Sequence, residues 1–230
     1  MQRHLAAGLA AAEAAQLATR PAQEEELALA AATEELAAAL ARFDEGAAHA
    51  LFDSVLARVS LDTLLRELVI PYLHDLGERW ERGEVSIAQE HFASTLLRGR
   101  LLGLARGWSQ GMGPPAVLAC APGEQHDLGL VAFGIALRAR GWRIVYLGPD
   151  TPIASVKDAA AASRANLGVV SAVDPRRFRP CIPEVEKLAR TTRVCLGGAG
   201  AAKVLLDAGV TVLTGDPVEA AEQLTVGALA

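Results

Sequence analysis

From residue 114 onward, short apolar runs alternate with segments of helical composition, and this alternation restricts the fold more than any other feature. The runs are "AVLAC", "RIVYLG", "LGVVSAV", "RVCLGG" and "VTVLTG". Strands that alternate with helices form a parallel sheet covered on both faces, and such strands read as continuous apolar runs. We therefore predict a flavodoxin- or Rossmann-like domain with five parallel strands over residues 114–230.

The preceding part of the chain has helical periodicity instead. The pattern predicts four helices, at about 23–42, 46–58, 61–82 and 87–107. Because the connections between them are short, an antiparallel four-helix bundle over residues 22–110 is the expected arrangement. The stretch "GMGPP" at 111–115 separates the two domains, so the predicted fold class is α followed by α/β.

Individual residues mark where these helices begin and bend. Ser60 and Ser86 are good N-cap residues, and Gln89 lies three positions after Ser86, as in a capping box. Pro71 falls inside the third helix, where it removes a backbone donor and predicts a kink.

Composition narrows the classes of function. The chain has 230 residues, 51% of them hydrophobic, and a net charge of −5, which gives no electrostatic footprint for nucleic acid. No uninterrupted apolar run is long enough to span a membrane. Cys120, Cys181 and Cys195 lack metal-ligand spacing and are expected to be small core residues in a reducing cytoplasm.

A ligand groove is expected where the parallel strands end, because open α/β sheets bind ligands at the carboxyl edge. The segments that follow the five strands there contain "PGEQHDLG", "GPDTP", Ser171 with Asp174, Gly197-Gly198 and "TGD". A dinucleotide fingerprint G-x-G-x-x-G is missing after the first strand, and no G-x-S-x-G elbow appears. A nucleotide-dependent oxidoreductase and a serine hydrolase are therefore disfavoured.

His126, in the stretch "APGEQHDLGL", is the candidate functional residue of this edge. A histidine in such a loop can be a surface residue, a catalytic base or a metal ligand. As a ligand it would bind through one ring nitrogen while a carboxylate oriented the other, and Glu124 and Asp127 are both close enough in sequence. The hexapeptide alone does not decide among these.

A second motif favours the interpretation of His126 as a metal ligand. The stretch "WERGEVSIAQEH" places nine residues between Trp80 and the pair Glu90-His91, upstream of the Glu-x-His-x-x-Gly loop. Both motifs, in this order before an α/β sheet, resemble the adenosylcobalamin-binding part of CarH-type photoreceptor transcription regulators. The resemblance extends over roughly residues 22–215, including "YLGPDTP" and "LGG".

The resemblance implies a cobalamin between the bundle and the sheet domain, with His126 as the lower cobalt ligand in place of the cofactor's own base. Glu124 would orient His126, Asp127 would contribute to the same cofactor-binding loop, and Gly129 would keep the following helix thin beneath the corrin. The displaced nucleotide tail would run past a polar and glycine-rich row consisting of Ser171, Gly197 and Gly198.

On the upper side, the resemblance implies that Trp80 packs on the adenosyl group, with Glu90 and His91 nearby. The competing interpretation makes Trp80 a core residue and Glu90-His91 a solvated helix face. Relatives carry a histidine directly after the tryptophan, whereas this chain has Glu81. The upper ligand after illumination would then be His91, Glu81 or water.

Function also follows from the resemblance. The family assembles in darkness, typically as a homotetramer and otherwise as a dimer, and it dissociates in light without catalytic turnover. Its regulators reach DNA through a MerR-type N-terminal domain, of which residues 1–21 look like a helical remnant or link. We therefore expect a cytoplasmic photosensory module that contacts DNA only through such a domain.

Three alternatives remain at this point. A corrinoid carrier of a methyltransferase shares the two-domain plan, but there an aspartate replaces Glu124 and Lys-Asn follows the glycine, where this chain has Leu130-Val131. An adenosylcobalamin mutase subunit would need a substrate barrel on another chain. An α/β response module without a metal would leave both histidine motifs unexplained.

Overall fold

A computed structural model describes residues 27–204 and 209–224. It divides the chain into two compact units, Met1–Ala93 and Ser94–Ala230. We call their described parts the helical unit and the sheet unit. The predicted segment 1–21 lies outside the described residues, and the predicted domain limits 22–110 and 114–230 stay predictions.

The helical unit begins with three helices and contains the start of a fourth. They are α1 (27–41), α2 (Glu45–Leu56), α3 (Leu61–Leu64, continuing through Leu65–Val69 and Ile70–Glu81) and α4 (Ile87–Leu104). The division between the units falls inside α4. These bounds agree with the predicted helices to within a few residues, except that the predicted start of the first helix, at residue 23, lies outside the described residues.

Side-chain caps explain where two of these helices begin. The Ser60 hydroxyl accepts the Thr63 backbone N–H at 3.1 Å, which satisfies a donor that the first turn leaves open. Ser86 and Gln89 form the predicted capping box: Gln89 N donates to Ser86 Oγ at 3.2 Å, and Ser86 N donates to Gln89 Oε1 at 3.0 Å. Both predicted caps are confirmed.

Helix α3 contains a π-helical turn, Leu65–Val69, directly before Pro71. Proline has no N–H, so the carbonyl four residues earlier, that of Glu67, loses its usual donor. The Thr33 hydroxyl of α1 approaches that carbonyl oxygen at 3.5 Å, while it donates to the Leu29 carbonyl of its own helix at 2.9 Å. The predicted disturbance at Pro71 therefore takes the form of a local change in helix type.

Large apolar side chains fill the interior of the helical unit. They include Leu36, Leu40, Phe52, Leu64, Leu65 and Leu68, each at 0–1% exposure. Burying one such side chain contributes about 1.5–3 kcal/mol. The periodic apolar positions that predicted the helices are thus the ones that hold the unit together.

The sheet unit contains five parallel strands in the order β2-β1-β3-β4-β5, which is the predicted flavodoxin-like order. The elements are β1 (Pro115–Cys120), α5 (Leu128–Ala139), β2 (Arg143–Gly148), α6 (Ile153–Ser163), β3 (Leu167–Ser171), α7 (Ile182–Ala189), β4 (Arg193–Gly197), β5 (Val210–Val212) and α8 (Pro217–Glu222). The register aligns Cys120 with Ser171 and Ser171 with Gly197, so the loops after these strands share one edge.

Burial explains why the central strands read as uninterrupted apolar runs. Every residue of β1 is buried, since helices cover both faces of the sheet. Trp142 is fully buried before β2 and donates its indole N–H to the Leu224 carbonyl at 2.6 Å. Trp108 is 9% exposed, so both tryptophans serve packing.

All three cysteines are buried and free, which confirms their interpretation as core residues. Burial raises the pKa of the Cys120 thiol to about 12 and those of Cys181 and Cys195 to about 11. They are therefore protonated at neutral pH and poor nucleophiles. Within the described ranges, no helix is long and apolar enough to cross a membrane.

Candidate functional site

The loop after β1 presents His126 at the carboxyl edge of the sheet. The His126 side chain is 77% exposed, whereas that of Glu124 is 3% exposed. Glu124 Oε1 lies 2.6 Å from His126 Nδ1 and accepts the His126 backbone N–H at 2.9 Å. Because the carboxylate occupies Nδ1, Nε2 is the ring nitrogen left for an external ligand.

Glu124 also ties this loop to the segment after β3. Its Oε2 accepts the backbone N–H of Val173 at 2.9 Å and that of Asp174 at 3.4 Å. Burial raises the pKa of Glu124, but the hydrogen bonds from His126, Val173 and Asp174 outweigh it and hold the pKa below its ordinary value. The carboxylate is therefore ionised at neutral pH and accepts these hydrogen bonds as an anion.

The loop after β2 supports the same segment from the other side. The Asp150 backbone N–H donates to the Glu124 carbonyl at 2.8 Å, and Asp150 Oδ1 accepts the Gly123 N–H at 2.6 Å. Loops from three neighbouring strands thus converge on the residues that precede His126.

Asp127 does not share the task of orienting His126, although the sequence left that role open to it. Its carboxylate accepts Arg98 Nε at 2.8 Å, Arg98 Nη2 at 2.7 Å and the Tyr146 hydroxyl at 2.6 Å, all through Oδ2. The hydrogen bond to Asp127 raises the pKa of Arg98, and burial followed by the same carboxylate raises the pKa of Tyr146. Glu124 alone meets the imidazole.

Arg98 and Tyr146 were not identified from the sequence. Arg98 lies on the part of α4 that belongs to the sheet unit, 29 residues from Asp127, and Tyr146 lies within the apolar run of β2, 19 residues away. No local motif links them. A tyrosine inside an otherwise apolar strand was the available signal, because a buried hydroxyl needs a partner.

The predicted groove positions Ser171, Gly197 and Gly198 lie together where β3 and β4 end. Gly198 has φ +83°, and a Cβ there would lie 2.5 Å from the Ala172 carbonyl oxygen and 3.0 Å from Ser171 Oγ. This backbone is open to glycine and strained for other residues. At Gly197 a Cβ would meet Val169 at 4.0 Å, an ordinary contact.

Gly129, in the first turn of α5, is exposed, and a Cβ built there meets nothing within 4 Å. The open space at Gly129 and the exposed ring of His126 fit a bulky ligand at this edge. The basic segment after β3 borders it: a Cβ at Gly123 would lie 2.7 Å from Arg177 Nη1, and Arg176 pairs with Asp174 at 2.8 Å.

In the helical unit, the structure places the second motif on both sides of the short connection 82–86. Trp80 and Glu81 are in the last turn of α3, and Glu90 and His91 are in the first turns of α4. Trp80 is 51% exposed, which excludes a core role for it in this unit. His91 Nε2 lies 3.5 Å from Glu90 Oε2, and the His91 side chain is 73% exposed.

Among the described residues, no three His, Cys, Asp or Glu side chains cluster as a metal site. A single available imidazole does not hold a free metal ion as a structural site does. It does fit a metal that brings its own equatorial ligands, as the cobalt of a corrin does.

Comparison with known proteins gives a family match for part of the chain. Residues 32–102 match the family described as "B12 binding domain". The chain contains a cobalamin-binding domain. It is 36% identical over 139 residues to the HTH-type transcriptional repressor CarH of Myxococcus xanthus, and 35% identical over 137 residues to CarA of the same organism.

The alignment with CarH covers 59% of this chain and 46% of that repressor, so the chain spans less than half of its relative's length. CarA is matched to a similar extent, 58% of this chain and 46% of the relative. Over the cobalamin-binding part, the predicted resemblance to CarH-type regulators is confirmed.

The fold has a solved counterpart. The monomethylamine corrinoid protein of Methanosarcina barkeri superposes with a TM-score of 0.67, covering 84% of this chain and 97% of that protein. The two sequences are 20% identical, so the likeness concerns the fold. It confirms the predicted fold class, helices followed by a Rossmann-like parallel sheet.

Proposed function

We propose that this cobalamin-binding domain holds adenosylcobalamin with His126 as the lower cobalt ligand. The observation that carries the proposal is the geometry of the loop: an exposed imidazole whose Nδ1 lies 2.6 Å from Glu124, a buried, ionised carboxylate. A carboxylate on one ring nitrogen fixes the tautomer and increases the basicity of the other. Such support is expected for a metal ligand and has no purpose for a solvated histidine.

The other residues of the sheet edge take roles that suit the same ligand. Gly129 leaves the first turn of α5 without a side chain beside His126. The row Ser171, Gly197 and Gly198 accommodates the displaced nucleotide tail, because glycine backbone permits close approach. Asp127 belongs to the cofactor-binding loop through its buried anchor to Arg98 and Tyr146.

Trp80, Glu90 and His91 recognise the upper, adenosyl side. The half-exposed indole of Trp80 is a large apolar surface that a stacked purine would cover. Glu90 and His91 supply polar groups beside it. Once the adenosyl group has left, His91 or Glu81 would be the side chain available to the cobalt from this motif.

The proposed role of the bound cofactor is to regulate self-assembly of the protein in response to light. Adenosylcobalamin supplies a cobalt–carbon bond that visible light breaks. Contacts of Trp80 with the adenosyl group favour the assembling state of the protein, and losing the group removes that preference, because a ligand shifts an equilibrium only through differential contacts. In darkness the protein would assemble as a tetramer or dimer, and it would bind DNA through a further domain. This is the behaviour that the resemblance to CarH-type regulators implies, and it involves no catalytic turnover.

Size-exclusion chromatography of the chain with adenosylcobalamin, in darkness and after green light, tests this function. We expect cobalamin absorbance to co-elute with a large species in darkness and with a smaller one after light. Coloured protein of constant size would instead favour a corrinoid carrier. Colourless protein in both runs would exclude adenosylcobalamin as the ligand.

The lower-ligand assignment has its own control pair. His126→Ala should lose the spectrum of imidazole-ligated cobalamin, while Gln125→Ala, which changes an exposed neighbour in the same loop, should keep it. An unchanged spectrum in His126→Ala would remove His126 from the cobalt.

A further inference from the structure

Two buried carboxylates flank the exposed His126, and only one of them touches it. Glu124 and Asp127 are 2% and 4% exposed. Glu124 holds the imidazole and the backbone on one side. Asp127, on the other side, makes its side-chain contacts with different elements of the sheet unit.

The position of Asp127 makes this arrangement unusual. Asp127 is the N-cap residue of α5, where an aspartate normally accepts an N–H from its own first turn. Its side chain makes no such hydrogen bond. It instead receives the guanidinium of Arg98 from α4 and the hydroxyl of Tyr146 from β2, at 2.7 Å and 2.6 Å.

The network is held rigidly at its far end. The Tyr146 ring packs edge-on against Trp108, with 5.5 Å between ring centroids and an interplanar angle of 75°. Arg98 approaches through two nitrogens, Nε and Nη2, and Nε also lies 3.1 Å from Oδ1, so the guanidinium contacts both carboxylate oxygens and fixes the carboxylate in direction as well as distance.

The pair joins a buried carboxylate to an arginine side chain that is 41% exposed, and removing the carboxylate from water offsets much of their attraction, so such a pair is a weak source of stability. Its best-supported use is to select one geometry over others. Here the fixed residue is the one directly after His126, and its backbone is held at φ −101°, ψ −7°.

We propose that Arg98 and Tyr146 are positioning residues that act through Asp127 to hold His126 in the orientation that ligates cobalt. The inference rests on the proposed function, since it concerns the same ligand. Glu124 fixes the ring and the backbone before it, and the Arg98–Asp127–Tyr146 network fixes the backbone after it. His126 can be exposed and still point in one direction because both of its flanks are anchored.

The test measures how much of the bound cofactor is ligated by histidine. Protein grown with nitrogen-15 histidine is loaded with cob(II)alamin, and the nitrogen splitting in its electron paramagnetic resonance spectrum reports a histidine on cobalt. Tyr146→Phe removes one hydrogen bond to a charged group and keeps the ring against Trp108. We expect the ratio of histidine-ligated to unligated cobalamin to fall about tenfold.

Arg98→Met should lower that ratio further, and Arg98→Lys should restore part of it. The matched control is Arg140→Met, which removes another arginine–carboxylate pair of the sheet unit, with Glu222 at 3.0 Å, away from the His126 loop. It should leave the ratio at the wild-type value even if it lowers the unfolding midpoint. A loss of ligation in step with stability in all variants would reduce the network to a structural role and overturn the inference.

The two proposals fail differently. If wild-type protein shows no histidine splitting, the lower-ligand function is wrong and the positioning role falls with it. If wild type shows the splitting and Tyr146→Phe retains it in full, the positioning role alone is overturned. Should Arg98→Met fail to fold, Tyr146→Phe still decides.

Discussion

The two motifs that indicated cobalamin are supported very differently by their surroundings. Around His126, buried carboxylates and backbone donors from several loops fix the residue before any ligand is considered. Around Trp80, the indole is 51% exposed and the His91 side chain is 73% exposed. The difference shows that the protein itself fixes the loop of His126, whereas the motif of Trp80 presents exposed side chains.

The largest expected effect concerns Glu124. Glu124→Leu leaves the N–H groups of His126, Val173 and Asp174 without their acceptor. Hydrogen bonds to a charged group contribute about 1.5–3 kcal/mol each, so the cofactor-free protein should lose about 3 kcal/mol of unfolding free energy even where water reaches the freed N–H groups. Urea denaturation measures this, with the exposed Asp158→Asn as control. A loss below that of the control would show that Glu124 does not fix the loop of His126.

Gly198→Ala should come next, with a loss of about 2 kcal/mol, because φ is +83° and the new Cβ meets the Ala172 carbonyl. Gly129→Ala is its counterpart, since the added methyl meets open space in a helix. It should leave stability equal or raise it by up to about 1 kcal/mol while weakening cobalamin binding. Thermal unfolding and cobalamin titration of both variants separate a structural glycine from a ligand-facing one. Equal binding by Gly129→Ala and wild type would contradict the ligand-facing role.

The pH dependence of stability offers a smaller, directional test. The pKa of Glu124 in the folded protein is lower than its ordinary value of 4.5, so this carboxylate stabilises the fold above that value. Its contribution should disappear as pH falls from 4.5 through the folded-state pKa. Urea midpoints of wild type should therefore decline more steeply below pH 4.5 than those of Glu124→Gln. Parallel curves would mean that Glu124 has no depressed pKa.

The smallest effect on the cofactor-free protein should come from Trp80→Ala. A half-exposed side chain contributes little to the core, so unfolding free energy should change by about 0.5 kcal/mol or less. Preference for adenosylcobalamin over hydroxocobalamin should fall nevertheless. Competitive binding measures that preference, and Phe52→Ala, in the fully buried core, provides the opposite pattern of stability. Unchanged preference would remove Trp80 from the upper site.

Sequence reasoning predicted the features that depend on neighbouring residues. The helices, the strands and both caps follow from apolar periodicity and residue spacing, and Glu124 and His126 belong to one short loop. Asp127 shows where this stops: its spacing suggested His126 as a partner, while its actual partners Arg98 and Tyr146 come from α4 and β2. Only the packed fold brings such distant residues together.

The exposure of the Trp80 side chain could not be predicted from the sequence either. A tryptophan at a helical position suits a core as well as a binding face, and periodicity does not distinguish them. The structure shows that Trp80 is half-exposed, and the Trp80→Ala experiment tests whether the exposed face binds the adenosyl group.

The π-helical turn before Pro71 has a geometric consequence for Trp80. Each residue of an α-helix advances the chain by about 100° around its axis and 1.5 Å along it. The wider turn at Leu65–Val69 therefore resets the angular phase of Ile70–Glu81. Deleting one residue from that turn would rotate the Trp80 indole by about 100° around the helix axis. The direction in which Trp80 points therefore depends on residues that precede it by more than ten positions.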